Sequence, residues 1–175
     1  MMKNIINTYQ GVSIIDENNT YSFHDLTEQV DKFRVKLSDK ILINDSIVIY
    51  SDYNFYSISL LLLLSEYRIN IIPIVKTTEK EFLAKVSASN PNKIITIDSN
   101  GSLIIQYRRT TEINSKEYTV YTRKGDSGII LFSSGTTGEP KVMIQNLSEL
   151  IKSISKPKRQ KNLTFIILLM FDHIG

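Results

Sequence analysis

The sequence has 175 residues, with 21 Lys and Arg against 18 Asp and Glu, two His and no Cys. This length suits one domain, and the 42% of hydrophobic residues excludes a wholly disordered chain. The absence of Cys excludes a disulfide scaffold, a zinc finger and a thiol nucleophile, and two His leave almost no way to build a transition-metal site. A net charge of +3 does not by itself imply a nucleic-acid or membrane partner.

The sequence predicts a cytoplasmic chain without a targeting segment or a membrane span. Its first residues lack an apolar run long enough for a signal peptide. The longest apolar stretches, residues 58–64 and 165–171, are far shorter than the roughly 20 residues that cross a bilayer. The basic run at residues 156–161 has no interleaved aromatic residues, which favours a solvated linker over a nucleic-acid-binding segment.

The first half of the sequence alternates between helix and strand patterns. A capping signature at Ser22 precedes an apolar stripe of Phe23, Leu26, Val30, Phe33 and Leu37, whose spacing predicts an amphipathic helix. Further along the chain, the pattern predicts a strand at 47–50, a deeply buried helix from 54 to about 68, a strand at 71–75, a helix capped by Thr78, and strands at Lys93–Ile97 and Leu103–Tyr107.

Two of these elements carry more detailed predictions. Pro73 suggests that its strand lies at a sheet edge or ends there, because proline cannot donate a backbone hydrogen bond. The helix after Thr78 has Phe82, Leu83 and Val86 as its predicted apolar face. The strand–helix–strand–helix–strand order is typical of βαβ units, so we predict an α/β fold with a mostly parallel sheet and flanking helices.

The last third of the sequence is richer in glycine. The pattern predicts a buried strand at 129–132, a loop from Ser133 to Lys141, an extended segment at 142–145, a helix from Asn146 to about Ser155 and a final strand at 164–171. Residues 108–124 are polar and have no clear pattern.

The loop after the strand at 129–132 has the composition of a phosphate cradle. It contains four hydroxyl residues, two glycines and a lysine, namely Ser133, Ser134, Thr136, Thr137, Gly135, Gly138 and Lys141. Glycines let backbone N–H groups approach an anion, hydroxyls donate to phosphate oxygens, and lysine offers a mobile positive charge. The spacing excludes a Walker A loop, and G-x-G-x-x-G and G-x-S-x-G are absent. By composition alone, a flexible surface loop is an equal alternative.

The order of residues in this loop resembles a known signature. Ser-Ser-Gly-Thr-Thr-Gly-Glu-Pro-Lys is similar to the phosphate-binding motif of the adenylate-forming superfamily, which includes acyl-CoA synthetases, adenylation domains of nonribosomal peptide synthetases and luciferases. Residues 132–141 match every fixed position of that motif, and residues 20–26, 45–49, 67–74 and 171–175 resemble other motifs of the family's amino-terminal part. Val142 and Gln145 depart from it, since many members have Gly and His there.

The resemblance implies that residues 1–175 are the N-terminal portion of an AMP-binding domain with a phosphate-binding loop at 132–141. Family members are ligases in which a small carboxylic acid attacks the α-phosphorus of ATP, giving an acyl adenylate and pyrophosphate. A thiol, CoA or the pantetheine of a carrier protein, then commonly takes the acyl group. The resemblance assigns the β- and γ-phosphates to Ser133, Ser134, Gly135, Thr136, Thr137, Gly138 and Lys141.

The same resemblance places His173 near the acid pocket, although a lone His beside an apolar strand is more often structural. It implies Mg²⁺ together with ATP, but assigns no metal ligand to these residues. The family's later motifs and its catalytic lysine have no counterpart in the sequence, so we expect little or no turnover by these 175 residues alone. The alternatives are a non-catalytic module that binds a nucleotide or a partner chain, and a degraded gene product without function.

Overall fold

The computed structural model describes residues 13–16, 19–109, 124–134 and 139–154, which form eight strands and four helices. The strands are β1 (Ser13–Asp16), β2 (Asn19–Ser22), β3 (Ser46–Tyr50), β4 (Asn70–Ile74), β5 (Lys93–Ile97), β6 (Leu103–Tyr107), β7 (Gly128–Ser134) and β8 (Pro140–Asn146). The helices are α1 (Phe23–Leu37), α2 (Phe55–Leu64), α3 (Glu79–Ser89) and α4 (Leu147–Ile154). The strand predicted at 164–171 and the basic run at 156–161 lie outside the described residues.

Six of the strands form one sheet in the order β6-β5-β3-β4-β7-β8. The four central strands run parallel, whereas β6 and β8 pair antiparallel with β5 and β7. This confirms the predicted α/β fold with a mostly parallel sheet and flanking helices. The strands β1 and β2 form a separate antiparallel hairpin.

Apolar side chains cover both faces of the sheet in two clusters. The larger cluster joins α1 and α2 to the strands through buried residues such as Phe33, Leu37 and Leu60. The smaller cluster includes Val86 of α3 together with Ile130 and Phe132 of β7. Because both faces of the parallel strands are covered, their sequences are almost continuously apolar.

The helix α1 begins with the predicted cap. The Ser22 hydroxyl oxygen accepts a hydrogen bond from the Asp25 backbone N–H (3.2 Å), and the Asp25 carboxylate accepts one from the Ser22 backbone N–H (2.7 Å). This reciprocal pair satisfies two backbone donors at the start of the helix. The hydrogen bonds from Ser22 hold the pKa of the Asp25 carboxyl below its ordinary value of 3.8.

We expect Asp25→Asn to destabilise the protein at neutral pH but not in acid. A carboxyl whose pKa is lowered by folding contributes stability above its unfolded pKa, and this contribution is lost as the pH falls through the folded pKa. The measurement is the urea midpoint of the wild type and of Asp25→Asn between pH 7 and pH values below the ordinary 3.8. The difference between the two proteins should shrink towards acid pH, and a constant difference would contradict the role of the charge.

The helix α2 is shorter than predicted, because it ends at Leu64 instead of continuing to about Arg68. After Leu64, the Tyr67 N–H donates to the Leu64 carbonyl (3.1 Å) in a tighter turn, and the Arg68 carbonyl accepts from the Asn44 N–H (2.9 Å). The second bond ties this segment to the loop before β3. A contact distant in sequence therefore decides where the helix ends, and the apolar pattern does not contain it.

Pro73 lies in a central strand, so it does not mark a sheet edge. It is the residue before Ile74, the last residue of β4, which agrees with the predicted alternative of a strand end. In β4, the Asn70 N–H and the Ile74 carbonyl form hydrogen bonds on the β3 side of the strand. The backbone groups of successive residues in a strand alternate between its two sides. Pro73 therefore points towards β7. The β4–β7 pairing comprises only Asn70 with Gly128 and Ile71 with Ile129, so it ends before Pro73. The pairing of β4 with β7 therefore stops before the position where Pro73 has no N–H to donate.

The buried face of α3 also differs from the prediction. Leu83 is 55% exposed, whereas Lys85 is 4% exposed and Val86 is buried. The face that packs on the sheet follows Phe82, Lys85, Val86 and Ser89, which recur at steps of three and four. Leu83 falls beside this stripe. The prediction was wrong because it treated the apolar residue, rather than the lysine, as the buried one.

Candidate functional site

The predicted phosphate loop connects two strands of a β-hairpin. Ser133 and Ser134 are the last residues of β7, and Pro140 and Lys141 are the first residues of β8. In the register, Ser133 lies opposite Lys141 and Ser134 lies opposite Pro140. The predicted loop from Ser133 to Lys141 was therefore too long, because both of its ends are strand residues with cross-strand partners.

This register brings two of the predicted phosphate-binding residues together. Residues directly opposite in an antiparallel pair have their side chains on the same face of the sheet, with Cβ atoms roughly 5 Å apart. Ser133 and Lys141 form such a pair. The Lys141 side chain is exposed, and no ion pair holds it within the described part of the chain. A hydroxyl and an exposed ammonium group thus lie side by side at the loop end of the hairpin, where β7 ends and β8 begins.

Apolar residues next to the loop end of the hairpin anchor it in the core. Phe132 of β7 is 2% exposed, and Ile130 is fully buried. Both belong to the cluster beneath α3, and their cross-strand partners Val142 and Ile144 pack against the same cluster. These apolar pairs anchor one face of both strands, so the Ser133–Lys141 pair at the loop end has a rigid support.

The loop end of the hairpin lies at the carboxyl ends of the parallel strands. The strand β7 runs parallel to β4, so Ser133 and Ser134 lie at the same edge as the carboxyl ends of β3, β4 and β5. Ligands of open α/β sheets bind outside this edge. The position therefore suits a binding site.

One charged group near the hairpin was not among the predicted site residues. The Lys85 ammonium lies 5.6 Å from the centre of the Phe132 ring and 2.9 Å from a carboxylate oxygen of Glu81. The sequence does contain a sign of this pair, because Glu81 and Lys85 are four residues apart on a predicted helix. It does not show that the lysine is buried.

Several predicted site residues cannot be placed. Gly135, Thr136, Thr137, Gly138 and His173 lie outside the described residues. Within the described residues, no group of three His, Asp or Glu side chains is arranged to hold a metal ion. The helices that the structure describes include none that is long and apolar enough to cross a bilayer.

Solved structures of adenylation proteins share this fold. The Klebsiella oxytoca NpsA N-terminal subdomain in space group P21 is 19% identical with a TM-score of 0.61, over 82% of this chain and 40% of that chain. The same subdomain in complex with 3-hydroxyanthranilyl-AMSN is 22% identical with a TM-score of 0.56, over 77% of this chain and 36% of that chain. VinN is 10% identical with a TM-score of 0.61, over 88% of this chain and 46% of that chain.

No family model and no curated protein matches the sequence. The chain spans 36% to 46% of the length of these solved structures. NpsA has also been solved as an artificially fused Adenylation-PCP di-domain, which is 19% identical over 82% of this chain and 31% of that one, with a TM-score of 0.58. The structure described here therefore has the fold of part of the NpsA N-terminal subdomain.

Proposed function

We propose that this chain is the N-terminal part of an ATP-dependent ligase that activates a small carboxylic acid as an acyl adenylate. The observation that carries the proposal is the Ser133–Lys141 pair at the loop end of the β7–β8 hairpin. The fold shared with the NpsA subdomain, which binds 3-hydroxyanthranilyl-AMSN, supports the same reaction class. The residues of the loop would bind the β- and γ-phosphates of ATP.

The proposed chemistry of the hairpin is electrostatic. When the acid carboxylate attacks the α-phosphorus, the bond to the β-phosphate oxygen breaks and negative charge accumulates on the departing pyrophosphate. The Ser133 hydroxyl and the Lys141 ammonium would offset that charge, and so would the hydroxyl and N–H groups of Ser134, Gly135, Thr136, Thr137 and Gly138. We also propose His173 as a residue near the acid, in keeping with the sequence resemblance.

Mg²⁺, the thiol and the carrier protein belong to this proposal as substrates or partners. The described residues contain no group of three acidic or His ligands, and we assign no Mg²⁺ ligand among them and derive no step through the metal. The acceptor would be CoA or the pantetheine of a carrier protein. The fused Adenylation-PCP protein supports a carrier partner because NpsA has the same fold.

The proposal is tested by ATP binding with and without Lys141. We expect Lys141→Ala to weaken ATP binding about tenfold in titration calorimetry, because it removes one charge-assisted hydrogen bond to phosphate. The matched control is Lys40→Ala, which removes an exposed lysine from the turn that leads towards the amino ends of the strands. An ATP affinity that does not depend on Lys141 would contradict the phosphate-binding role of the hairpin.

A second assay separates the ligase from a non-catalytic binding module. Acid-dependent exchange of labelled pyrophosphate into ATP reports adenylate formation. The chain covers about two fifths of the NpsA subdomain, so we expect binding without exchange by these 175 residues. Robust exchange by the chain alone would show that these residues suffice for adenylation. If ATP does not bind at all, a module that binds a partner chain becomes the better proposal.

A further inference from the structure

The helix α3 buries a lysine against the strand that leads to the proposed phosphate site. Lys85 is 4% exposed, and its ammonium lies 5.6 Å from the centre of the Phe132 ring. Lysine is almost never fully buried unless it is paired. Here the partner is Glu81, one turn earlier on α3, whose carboxylate oxygen lies 2.9 Å from the Lys85 ammonium nitrogen. The buried Lys85 ammonium therefore has a counter-charge, but it has no role in the chemistry proposed above.

Glu81 also connects the lysine to the end of the neighbouring strand. The Thr77 hydroxyl, in the segment between β4 and α3, donates a hydrogen bond to the Glu81 carboxylate. The Glu81 backbone N–H donates to the Thr78 hydroxyl that caps the helix (3.4 Å). A series of side-chain contacts thus links the segment after β4 to Phe132 of β7 through Glu81 and Lys85.

These side-chain contacts lie where the backbone pairing between β4 and β7 has ended. The pairing of β4 with β7 includes only Gly128 and Ile129 of the seven residues of β7. Within the described residues, the register between β4 and β7 does not extend beyond Ile129. Phe132 immediately precedes Ser133, so the contact of its ring with Lys85 lies one residue from the proposed phosphate site.

We propose that Lys85, held by Glu81, is a positioning residue that fixes the carboxyl end of β7 through the Phe132 ring and so orients Ser133 and its neighbours for phosphate. This inference rests on the proposed function of the hairpin. A cation is attracted to the face of an aromatic ring, and the attraction grows when the cation is removed from water. An apolar side chain of similar length fills the same space but does not provide that attraction.

The first test is local hydrogen exchange in the full 175-residue chain. Lys85→Met keeps the volume and removes the charge, Lys85→Arg keeps the charge, and Lys80→Met removes an exposed lysine from the same helix. We expect backbone N–H exchange at Ser133 and Lys141 to be about fivefold faster in Lys85→Met, with β3 and β5 unchanged. Lys85→Arg should restore slow exchange, and Lys80→Met should match the wild type.

The second test is ATP affinity of the same variants. We expect Lys85→Met to weaken ATP binding about fivefold, while Lys80→Met changes it less than twofold. If ATP binding depends on Lys141 but both readouts of Lys85→Met equal the wild type, the inference is overturned and the proposed function stands. If the wild type does not bind ATP, the proposed function fails, and with it the link between Lys85 and phosphate.

Two further outcomes are also decisive. Exchange that is faster throughout the sheet in Lys85→Met, and not only in the hairpin, would show a merely structural lysine and overturn the inference. If Lys85→Met does not fold, Glu81→Gln replaces it, because that change weakens the hold on Lys85 and leaves the lysine in place. The same local increase in exchange is then expected at Ser133 and Lys141, and its absence counts against the proposal.

Discussion

Asp45→Asn is expected to lower the free energy of unfolding by about 3 to 5 kcal/mol, because it leaves the buried Lys93 ammonium without its counter-charge. Asp45 is 3% exposed and Lys93 is 4% exposed, and the two side chains form an ion pair. The Asp45 carboxylate also accepts hydrogen bonds from the Leu42 N–H (2.6 Å) and the Asn92 side-chain amide (2.6 Å). One carboxylate therefore satisfies three donors at the amino ends of β3 and β5.

The measurement is the midpoint of urea unfolding, converted to a free energy with the slope of the transition. Asp52→Asn is the matched control, because Asp52 forms an exposed ion pair with Lys76 (3.0 Å), and its loss should cost less than about 1 kcal/mol. The double variant Asp45→Asn, Lys93→Met removes both charges and should be more stable than Asp45→Asn alone. Equal losses for Asp45→Asn and Asp52→Asn would show that burial does not strengthen the pair.

Gly128→Ala is expected to destabilise the protein by about 1 to 3 kcal/mol through overpacking. A Cβ atom at Gly128 would lie 2.3 Å from the side-chain oxygen of Asn70, its register partner on β4. Asn70 is fully buried, and its amide donates to the Ser46 hydroxyl (3.3 Å), so it cannot move aside freely. The Gly128 N–H also donates to the Ile69 carbonyl (3.0 Å), which limits movement of the backbone.

The control for this prediction is the same change in an Asn70→Ala background. Removing the Asn70 amide removes the atom that the new Cβ would meet, so Gly128→Ala should cost less there than in the wild type. A double-mutant cycle from urea unfolding gives the coupling energy between the two positions. Additive losses would mean that the methyl group is accommodated without contact with Asn70.

The secondary structure of the central sheet was readable from the sequence because its signals are local. The strands Lys93–Ile97 and Leu103–Tyr107 have the predicted bounds. The helices α1 and α3 begin at their predicted caps, Ser22 and Thr78, whose side chains accept hydrogen bonds from backbone N–H groups three residues later. Caps and apolar spacing act over a few residues, so each can be recognised without knowledge of the fold.

The wrong predictions share a different cause. The helix α2 ends early because Arg68 accepts a hydrogen bond from Asn44, and Pro73 is tolerated because the β4–β7 pairing ends at Ile71. Lys85 is buried where the ring of Phe132, on the distant strand β7, lies 5.6 Å from its ammonium. Each of these facts depends on a partner that the local pattern does not name.

The candidate site divides in the same way. The composition of residues 133–141, with its hydroxyls, glycines and lysine, is visible in the sequence and predicts a phosphate cradle. The sequence does not show that Ser133 and Lys141 are cross-strand partners, since hairpin register depends on how β7 and β8 pair. It also does not show that the loop end of the hairpin lies at the carboxyl ends of the parallel strands, beside the polar contacts of Thr77, Glu81 and Lys85.

By itself, the sequence determined the fold class and most helix and strand positions. These follow from short-range patterns, because capping, apolar periodicity and loop composition each involve neighbouring residues. Only the tertiary structure decided the strand order, the ion pair of Asp45 with Lys93, the close approach of Gly128 to Asn70 and the burial of Lys85 beneath the proposed phosphate site. The physical reason is that each of these requires two segments distant in the chain to meet, and packing of the whole sheet selects which segments those are.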